Sequence, residues 1–492
     1  MNVLALFAAI LTILAAGSVC MLVVPLHARP HLFVQLALSW IFGTALVSIF
    51  VWILGFFTRA PFLPVLVAML CIGLGLVYFK MRGRSPVSLQ SWRKPQPVEL
   101  LLSAIIALEI AFVFYLSYVH TLGGDGLLNW EIKARYAFMN AGALPATYFQ
   151  DAGRATSHPE YPLAIPYTEL WLYFWMGETN QFWAKTIFAL FYAAGTILLV
   201  FFSTRLTGKT WPGLLVAGLF FFIPQISTET GSAIVGYADF PLSVFYLTAI
   251  GSLVCACHKQ NIASDDGGFS IYAIALGMLP WIKREGSVLW MMGALCGLVV
   301  IWRNKKSPLW ILALLPGFLL MIGWKFYLSQ VHAVSSPDFV PIGLDAFSAN
   351  IYRLGSIASM LVRELVHTKH WSLFWPATAL AGLFFLYRFR GFAAVVAVAG
   401  IAGPIAFYTG AYVFSNWPDY HDHVALSLNR LLIHVAPLGA MLVSALLDFI
   451  WERPASLPTF PPEATASIQP LEAGLLQTPG PVLSRRSELA DV

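Results

Sequence analysis

Charge is scarce in this chain. Only 11% of its 492 residues are Asp, Glu, Lys or Arg, against roughly 25% in a typical soluble domain. A water-soluble globule of this size would need a solvated polar shell that so few charges cannot make. The net charge of +5 is small, and the basic residues are scattered among loops. That scatter excludes a nucleic-acid partner and points to membrane orientation. Cysteine is scarce too, with Cys20, Cys71, Cys255, Cys257 and Cys296 all inside or at the edge of apolar runs. The C-x-C spacing of Cys255 and Cys257 matches neither a metal nor a redox motif, so buried thiols are expected and no disulfide framework. No short internal repeat is visible. The N-terminal run lacks a positive n-region and reads as a first spanning helix, not a cleaved signal.

What the chain has instead is apolar length: 59% of its residues are hydrophobic and its mean hydropathy is +0.74. Runs long enough to cross about 30 Å of hydrocarbon recur along it. The expected fold is an all-α polytopic membrane protein of about 13 transmembrane helices, with interfacial helices in the outer loops. The expected spans are 3–25, 32–57, 62–79, 98–118, 183–203, 211–228, 240–257, 270–283, 286–302, 308–328, 371–387, 391–413 and 430–450. Placing the basic loop of Lys80, Arg82, Arg84, Arg93 and Lys94 in the cytoplasm also puts Arg205, Lys209, Lys259, Arg303, Lys305, Lys306, Arg388 and Arg390 there. This holds if the short apolar stretch 162–176 does not cross. Residues 1–97 read as a three-helix module with a basic linker, 98–453 as the main body, and 454–492 as a disordered cytoplasmic tail.

The residues with useful chemistry gather in loops that this topology places outside. Asp125 follows the fourth span among Gly123, Gly124 and Gly126, which let the backbone turn tightly. From Leu127 to Met139 the apolar spacing suits a helix lying on the membrane surface, with Trp130 and Tyr136 at headgroup depth. Asp125 reads equally as that helix's N-cap. His158, Glu160 and Tyr161 stand among prolines where the chain re-enters the apolar phase; a simple re-entry turn explains the prolines. Tyr237 and Asp239 open a long apolar span, where Asp239 also suits an N-cap. Lys283, Arg284 and Glu285 sit between two closely spaced spans, so adjacent charges of both signs at membrane depth suggest a site, a solvated hairpin tip being the alternative. Asp419, His421, Asp422 and His423 are metal-capable types without matching ligands elsewhere. Arg430 opens the last span and could hold a lipid phosphate through its planar fork, or simply snorkel.

In order, these features resemble the GT-C superfamily of membrane glycosyltransferases, which includes protein O-mannosyltransferases and lipid A aminoarabinose transferase. The matching pieces are Asp125 in the first large outer loop and the His-Pro-x-Tyr-Pro re-entry from His158 to Pro162. They continue with Gly236, Ala238, Asp239 and Pro241, then Lys283, Glu285 and Gly286, then Arg430 to Leu432. The resemblance covers about residues 98–450. Two features depart from the family pattern: three spans precede the acidic loop, and Asp125 has glycine on both sides where many relatives carry an acidic pair.

The resemblance implies a sugar donor carried on a polyprenyl phosphate, used at the outer face of a plasma membrane, with a bacterial inner membrane as the expected location. The acceptor would be a lipid, a glycan or a protein, and membrane lipids would surround the site. It implies Asp125 as base, Asp239 as its catalytic companion, and Lys283, Arg284 and Arg430 around the donor phosphate. His158, Glu160, Tyr161, Tyr237 and Glu285 would position donor or acceptor. No organic cofactor is implied; a divalent cation is compatible with it. Two other readings remain: a secondary transporter, for which Glu109, Glu169, Lys185 and Lys325 would be the charges within spans, and a lipid-binding scaffold without activity.

Overall fold

Helices that are apolar all round must meet either lipid or one another, and this chain builds both kinds. The computed structural model describes residues 3–24, 30–82, 95–258, 267–304, 308–336, 338–389 and 391–452. The expected tail 454–492 lies outside them, as do Arg84, Arg93, Lys94, Lys259, Lys305, Lys306 and Arg390. Among the described residues no strand forms; a lone antiparallel bridge joins Phe339 to Ser415.

The main helices, in chain order, begin with α1 (Val3–Ser18), α2 (Leu32–Leu54), α3 (Phe62–Met81) and α4 (Pro97–Val119). They continue through α5 (Ile132–Met139), α6 (Ala164–Met176), α7 (Thr186–Thr207), α8 (Trp211–Phe220) and α9 (Asp239–His258). Then come α10 (Gly268–Ile282), α11 (Gly286–Arg303), α12 (Leu315–Gln330) and α13 (Leu354–Leu365). The last four are α14 (Phe374–Phe389), α15 (Phe392–Ala411), α16 (Tyr420–Ile433) and α17 (Ala436–Glu452). Nine helices among the described residues are long and apolar enough to cross a membrane, or ten if the bent pair α16–α17 counts as one span. The chain is therefore a multi-pass membrane protein.

Of the thirteen expected spans, three form helices too short among the described residues to count by length as full crossings. Segment 211–228 breaks after the 10-residue α8, and 270–283 yields only the 15-residue α10. Segment 371–387 yields the 16-residue α14. An apolar run inside a helix bundle can stay short because its neighbours, rather than lipid, cover its ends. The stretch 162–176 becomes α6, whose 13 residues extend roughly 20 Å, less than the hydrocarbon thickness. Both its flanks lie on the Asp125 side: Tyr161 stacks under Arg284, and the Lys185 ammonium donates to the carbonyl of His120 at the end of α4.

The core axis is α9, buried without interruption from Asp239 to Cys255. Its hydroxyls turn back on their own helix, Ser243 to the Phe240 carbonyl at 2.7 Å and Thr248 to the Val244 carbonyl at 2.7 Å. That satisfies polar groups which have no water to meet. Helices α1 and α2 cross at Gly17 and Gly43; a Cβ on either would run into the facing backbone carbonyl, of Ser39 or Ile13. Small residues at such a crossing let two backbones touch. The chain through Trp451 folds as one compact unit. Within it α6 is tied to α1 and α2, Trp171 donating to the Thr12 hydroxyl at 3.0 Å and Thr168 to the Thr44 carbonyl at 3.4 Å. By contrast α3 and α4 turn Phe62, Met69, Leu76, Leu101 and Leu108 outward.

Candidate functional site

Four loops and one kinked helix bring the site together. Gly123 and Gly126 are needed for close approach rather than for an unusual turn, since neither has positive φ. A Cβ on Gly123 would meet the Tyr237 ring, and one on Gly126 the Val235 carbonyl. The segment therefore lies flat against 235–237, with the Gly123 amide donating to the Val235 carbonyl at 3.0 Å and the Asp125 amide to the Tyr237 hydroxyl at 3.1 Å. The Asp125 carboxylate makes no capping bond. It faces Arg430 instead, at 2.6 Å.

Arg430 projects from α16 and bridges two carboxylates: one nitrogen meets Asp125, the other Asp239 at 3.3 Å. The Tyr237 ring lies beneath its guanidinium, 4.7 Å from the centroid. Asp239 is fully buried. It accepts from Lys283 at 2.7 Å and approaches His434 Nε2 at 3.0 Å, so its oxygens are committed to side chains rather than to a cap. His434 reaches it because the helix bends by 52° there, where Pro437 can neither donate to the Ile433 carbonyl nor pack beside it. The other His434 nitrogen pairs with the Tyr408 hydroxyl at 3.0 Å.

The Lys283–Glu285 turn is not a solvated tip. Gly286 lets α11 start tight against the Leu279 carbonyl, which folds Lys283 inward, 2% exposed, between Asp239 and Glu285 at 3.3 Å. Burial alone would raise the Glu285 carboxyl; Lys283 and Arg284 overcome that and hold it at about 2. Arg284 stays the accessible cation, its side chain 39% exposed, 3.6 Å from Glu160 and over the rings of Tyr161 and Phe339.

Beside it lies a second group. His158 holds a left-handed backbone, φ 45°, uncommon for a residue with a side chain. Its ring stacks on Tyr161 at 4.5 Å and stands 3.5 Å from Glu160 and 3.7 Å from Asp338. Burial works against ionisation of Glu160, yet His158 and Arg284 keep its carboxyl below the ordinary range. Asp338 is fastened by the Trp417 indole at 3.1 Å, and its carboxyl is likewise lowered, against burial, by Ser336, Trp417 and His158.

All ten expected site residues thus fall in one connected cluster. Four neighbours were not anticipated: Lys133, Asp338, Tyr408 and His434. Only His434 left a trace in the sequence, four residues beyond Arg430 and so on the same helix face. Lys133 is hidden because the expected helix turns charged residues inward together with apolar ones. Residues 126–131 form a π-turn leading into α5, and Trp130, Glu131 and Lys133 are all buried. Trp130 is enclosed by protein rather than presented on the surface. Glu131 is met by Arg135 at 2.8 Å and the Tyr173 hydroxyl at 2.8 Å, and Lys133 donates to the His158 carbonyl at 2.7 Å. Burial brings the Lys133 amine down to about 7, with Glu160 pulling the other way.

The loop at 416–423 divides. His421 turns to Asp419 at 2.8 Å, whereas His423 bonds the Ser415 hydroxyl at 2.9 Å and stacks on Trp417. They do not converge on a common point. The carboxylates of the main cluster are already met by lysine, arginine or histidine, and no trio of His, Cys, Asp or Glu at metal-holding spacing occurs there among the described residues.

Comparison with protein-family models, with curated proteins and with solved structures returned no match. The geometry alone must therefore carry the functional reading. Its most telling feature is unmet hydrogen-bonding capacity. His158 Nδ1, Glu160 Oε2, Glu285 Oε2 and Arg430 Nε are buried side-chain atoms without a hydrogen-bond partner, all in this cluster. Buried polar atoms are normally satisfied, so four together make this cluster the candidate site.

Proposed function

We propose that this chain transfers a sugar from a polyprenyl-phosphate donor to a lipid, glycan or protein acceptor at the outer face of a plasma membrane. The observation that carries the reading is the set of four unpartnered polar atoms. Two carboxylate oxygens suit sugar hydroxyl donors, and a guanidinium N–H suits an anionic oxygen. Position supports it as well. Asp125 lies just past α4, a helix with an exposed apolar face, so a donor held in the bilayer can approach sideways. Arg205 and Arg303 close the far ends of α7 and α11, both of which start on the site's side; by the positive-inside rule this supports a site facing away from the cytoplasm.

The chemistry follows from the pairings. In the resting arrangement Asp125 is paired with Arg430 at 2.6 Å. A donor phosphate that draws Arg430 toward itself releases Asp125 to take the acceptor's hydroxyl proton. The acceptor oxygen then attacks the anomeric carbon, the bond from that carbon to the phosphate oxygen breaks, and its electron pair stays on the phosphate. Arg284 and Arg430 stabilise the growing charge. The single displacement inverts the anomeric configuration. Lys283 and His434 hold Asp239, which sets the height of Arg430; Tyr161 carries Arg284 on its face.

The test uses full-length protein in proteoliposomes with a radiolabelled polyprenyl-phosphate sugar and a membrane extract as acceptor. Label leaving the donor for a new product is expected. An intact donor, in protein shown to be folded, would overturn the proposal. A second reading rests on Glu109, buried within α4 with both carboxylate oxygens unpartnered, as a transporter's charge would be. Accumulation of solute in the same vesicles without donor turnover would favour it.

A further inference from the structure

Outside the charged cluster, one other group of metal-capable side chains converges among the described residues. Glu364 ends α13, His367 stands at the corner that follows, and His370 lies in the short turn Thr368–Trp371 leading to α14. Each offers one ligand atom, and the three atoms lie within 4.8 Å of one another. Glu364 Oε1 and His370 Nδ1 are 2.9 Å apart, and the two imidazole rings are 4.0 Å apart centre to centre. We propose that Glu364, His367 and His370 form a divalent-metal site of the two-histidine, one-carboxylate type suited to Zn2+, with a fourth position left to water.

Three observations support the assignment together. The first is the donor set: two imidazoles and one carboxylate is a common zinc set, and three ligands at about 2.0–2.2 Å from one centre need only a modest rearrangement from the present spacing. The second is the state of His367. Its Nδ1 is shielded from solvent and has no hydrogen-bond partner, although its ring lies against that of His370. A simple Glu364–His370 pair would leave that nitrogen unmet, whereas a metal ion gives all three groups a partner. The third is the support around the carboxylate. The Trp371 indole donates to Glu364 Oε1 at 2.9 Å, the kind of outer bond that fixes a ligating carboxylate. The backbone is fastened as well, with His367 donating to the Glu364 carbonyl at 3.0 Å and His370 to that of His367 at 3.1 Å.

The location gives the ion a structural task. Through Ile357, α13 packs on Val424 and Leu428 of α16, the helix that carries Arg430. A metal at the α13 corner would pin the turn into α14 and hold α13 against α16. The assignment does not depend on sugar transfer, and its test does not measure it.

Full-length protein in detergent is stripped with a chelator, dialysed, and titrated with ZnCl2 or CoCl2. One zinc per chain by elemental analysis is expected, with visible ligand-field absorption from Co2+ in a low-symmetry site. Combining His367→Ala with His370→Ala should weaken Zn2+ binding more than about 100-fold and abolish the rise in unfolding temperature that zinc gives the parent. Glu364→Gln keeps an acceptor for Trp371 and serves as the second arm if the double variant does not accumulate; it should also lose the Co2+ spectrum. His421→Ala, at the exposed Asp419 pair, should keep both. Equal zinc binding by the parent and both ligand variants, or loss on His421→Ala alone, overturns the site.

Discussion

Asp239 is the most demanding residue in the charged cluster, and replacing it with asparagine isolates its charge from its shape. The carboxylate has no exposure and answers three groups at once: Lys283 at 2.7 Å, His434 at 3.0 Å and Arg430 at 3.3 Å. Asparagine fits the same space, but it removes the negative charge and turns N–H donors toward neighbours that are donors themselves. Lys283, whose side chain is 3% exposed, would keep only Glu285 at 3.3 Å. Removing one partner of a buried ion pair costs about 3–5 kcal/mol, because the other charge stays buried and uncompensated. Asp239→Asn should therefore destabilise the protein by that amount in reversible SDS-induced unfolding from mixed micelles, and Lys283→Met should fall in the same range. The two together should cost less than their sum by about 2 kcal/mol or more, since the second change removes the charge stranded by the first. A single variant within about 0.5 kcal/mol of the parent, the level of an ordinary surface substitution, would refute the reasoning. So would strict additivity.

Other consequences follow from neighbouring residues. Lys133 has a folded-state value near 7 against an ordinary 10.5. Between those values the unfolded chain binds the extra proton, so stability should rise with pH from about 7 to 10.5 and be level on either side. Lys133→Met should flatten that rise and stabilise the protein at pH 6 by about 2–4 kcal/mol, less than the full shift because its bond to the His158 carbonyl is lost; an unchanged slope in pH-dependent unfolding would contradict this. Gly126→Val would push the Asp125 segment off the Val235 carbonyl and should cost about 1–3 kcal/mol by the same assay, as overpacking does, together with most transfer activity. Arg430→Lys keeps the charge but cannot bridge Asp125 and Asp239 through two nitrogens; donor turnover should fall by at least about tenfold, with smaller loss of stability than in Asp239→Asn.

Much of this arrangement could be read from the sequence, for physical reasons. Apolar length reports membrane crossing directly, so long isolated spans such as α2, α9 and α11 were legible. The shorter α8, α10 and α14 fall below the length of a full crossing; hydropathy marks an apolar run without fixing how long a helix it forms. Charges stranded next to apolar runs are costly wherever they lie, which made Asp125, Asp239, Lys283, Arg284 and Arg430 stand out. Their pairing was not legible, since it depends on the 52° bend at His434 and on the flat contact made possible by Gly123 and Gly126. The 127–139 segment failed for a different reason. Its periodicity marks an apolar face, but Glu131 and Lys133 also go inward, each satisfied by partners distant in the chain.

The most direct test of the central claim is donor turnover by Asp125→Asn in folded, reconstituted protein. Asparagine fills the same space beside Arg430 but cannot take a proton at neutral pH. A drop in the transfer of labelled sugar from polyprenyl phosphate by roughly 100-fold or more, with unfolding within about 1 kcal/mol of the parent, is the result the account predicts. Near-parental transfer by that variant would contradict it.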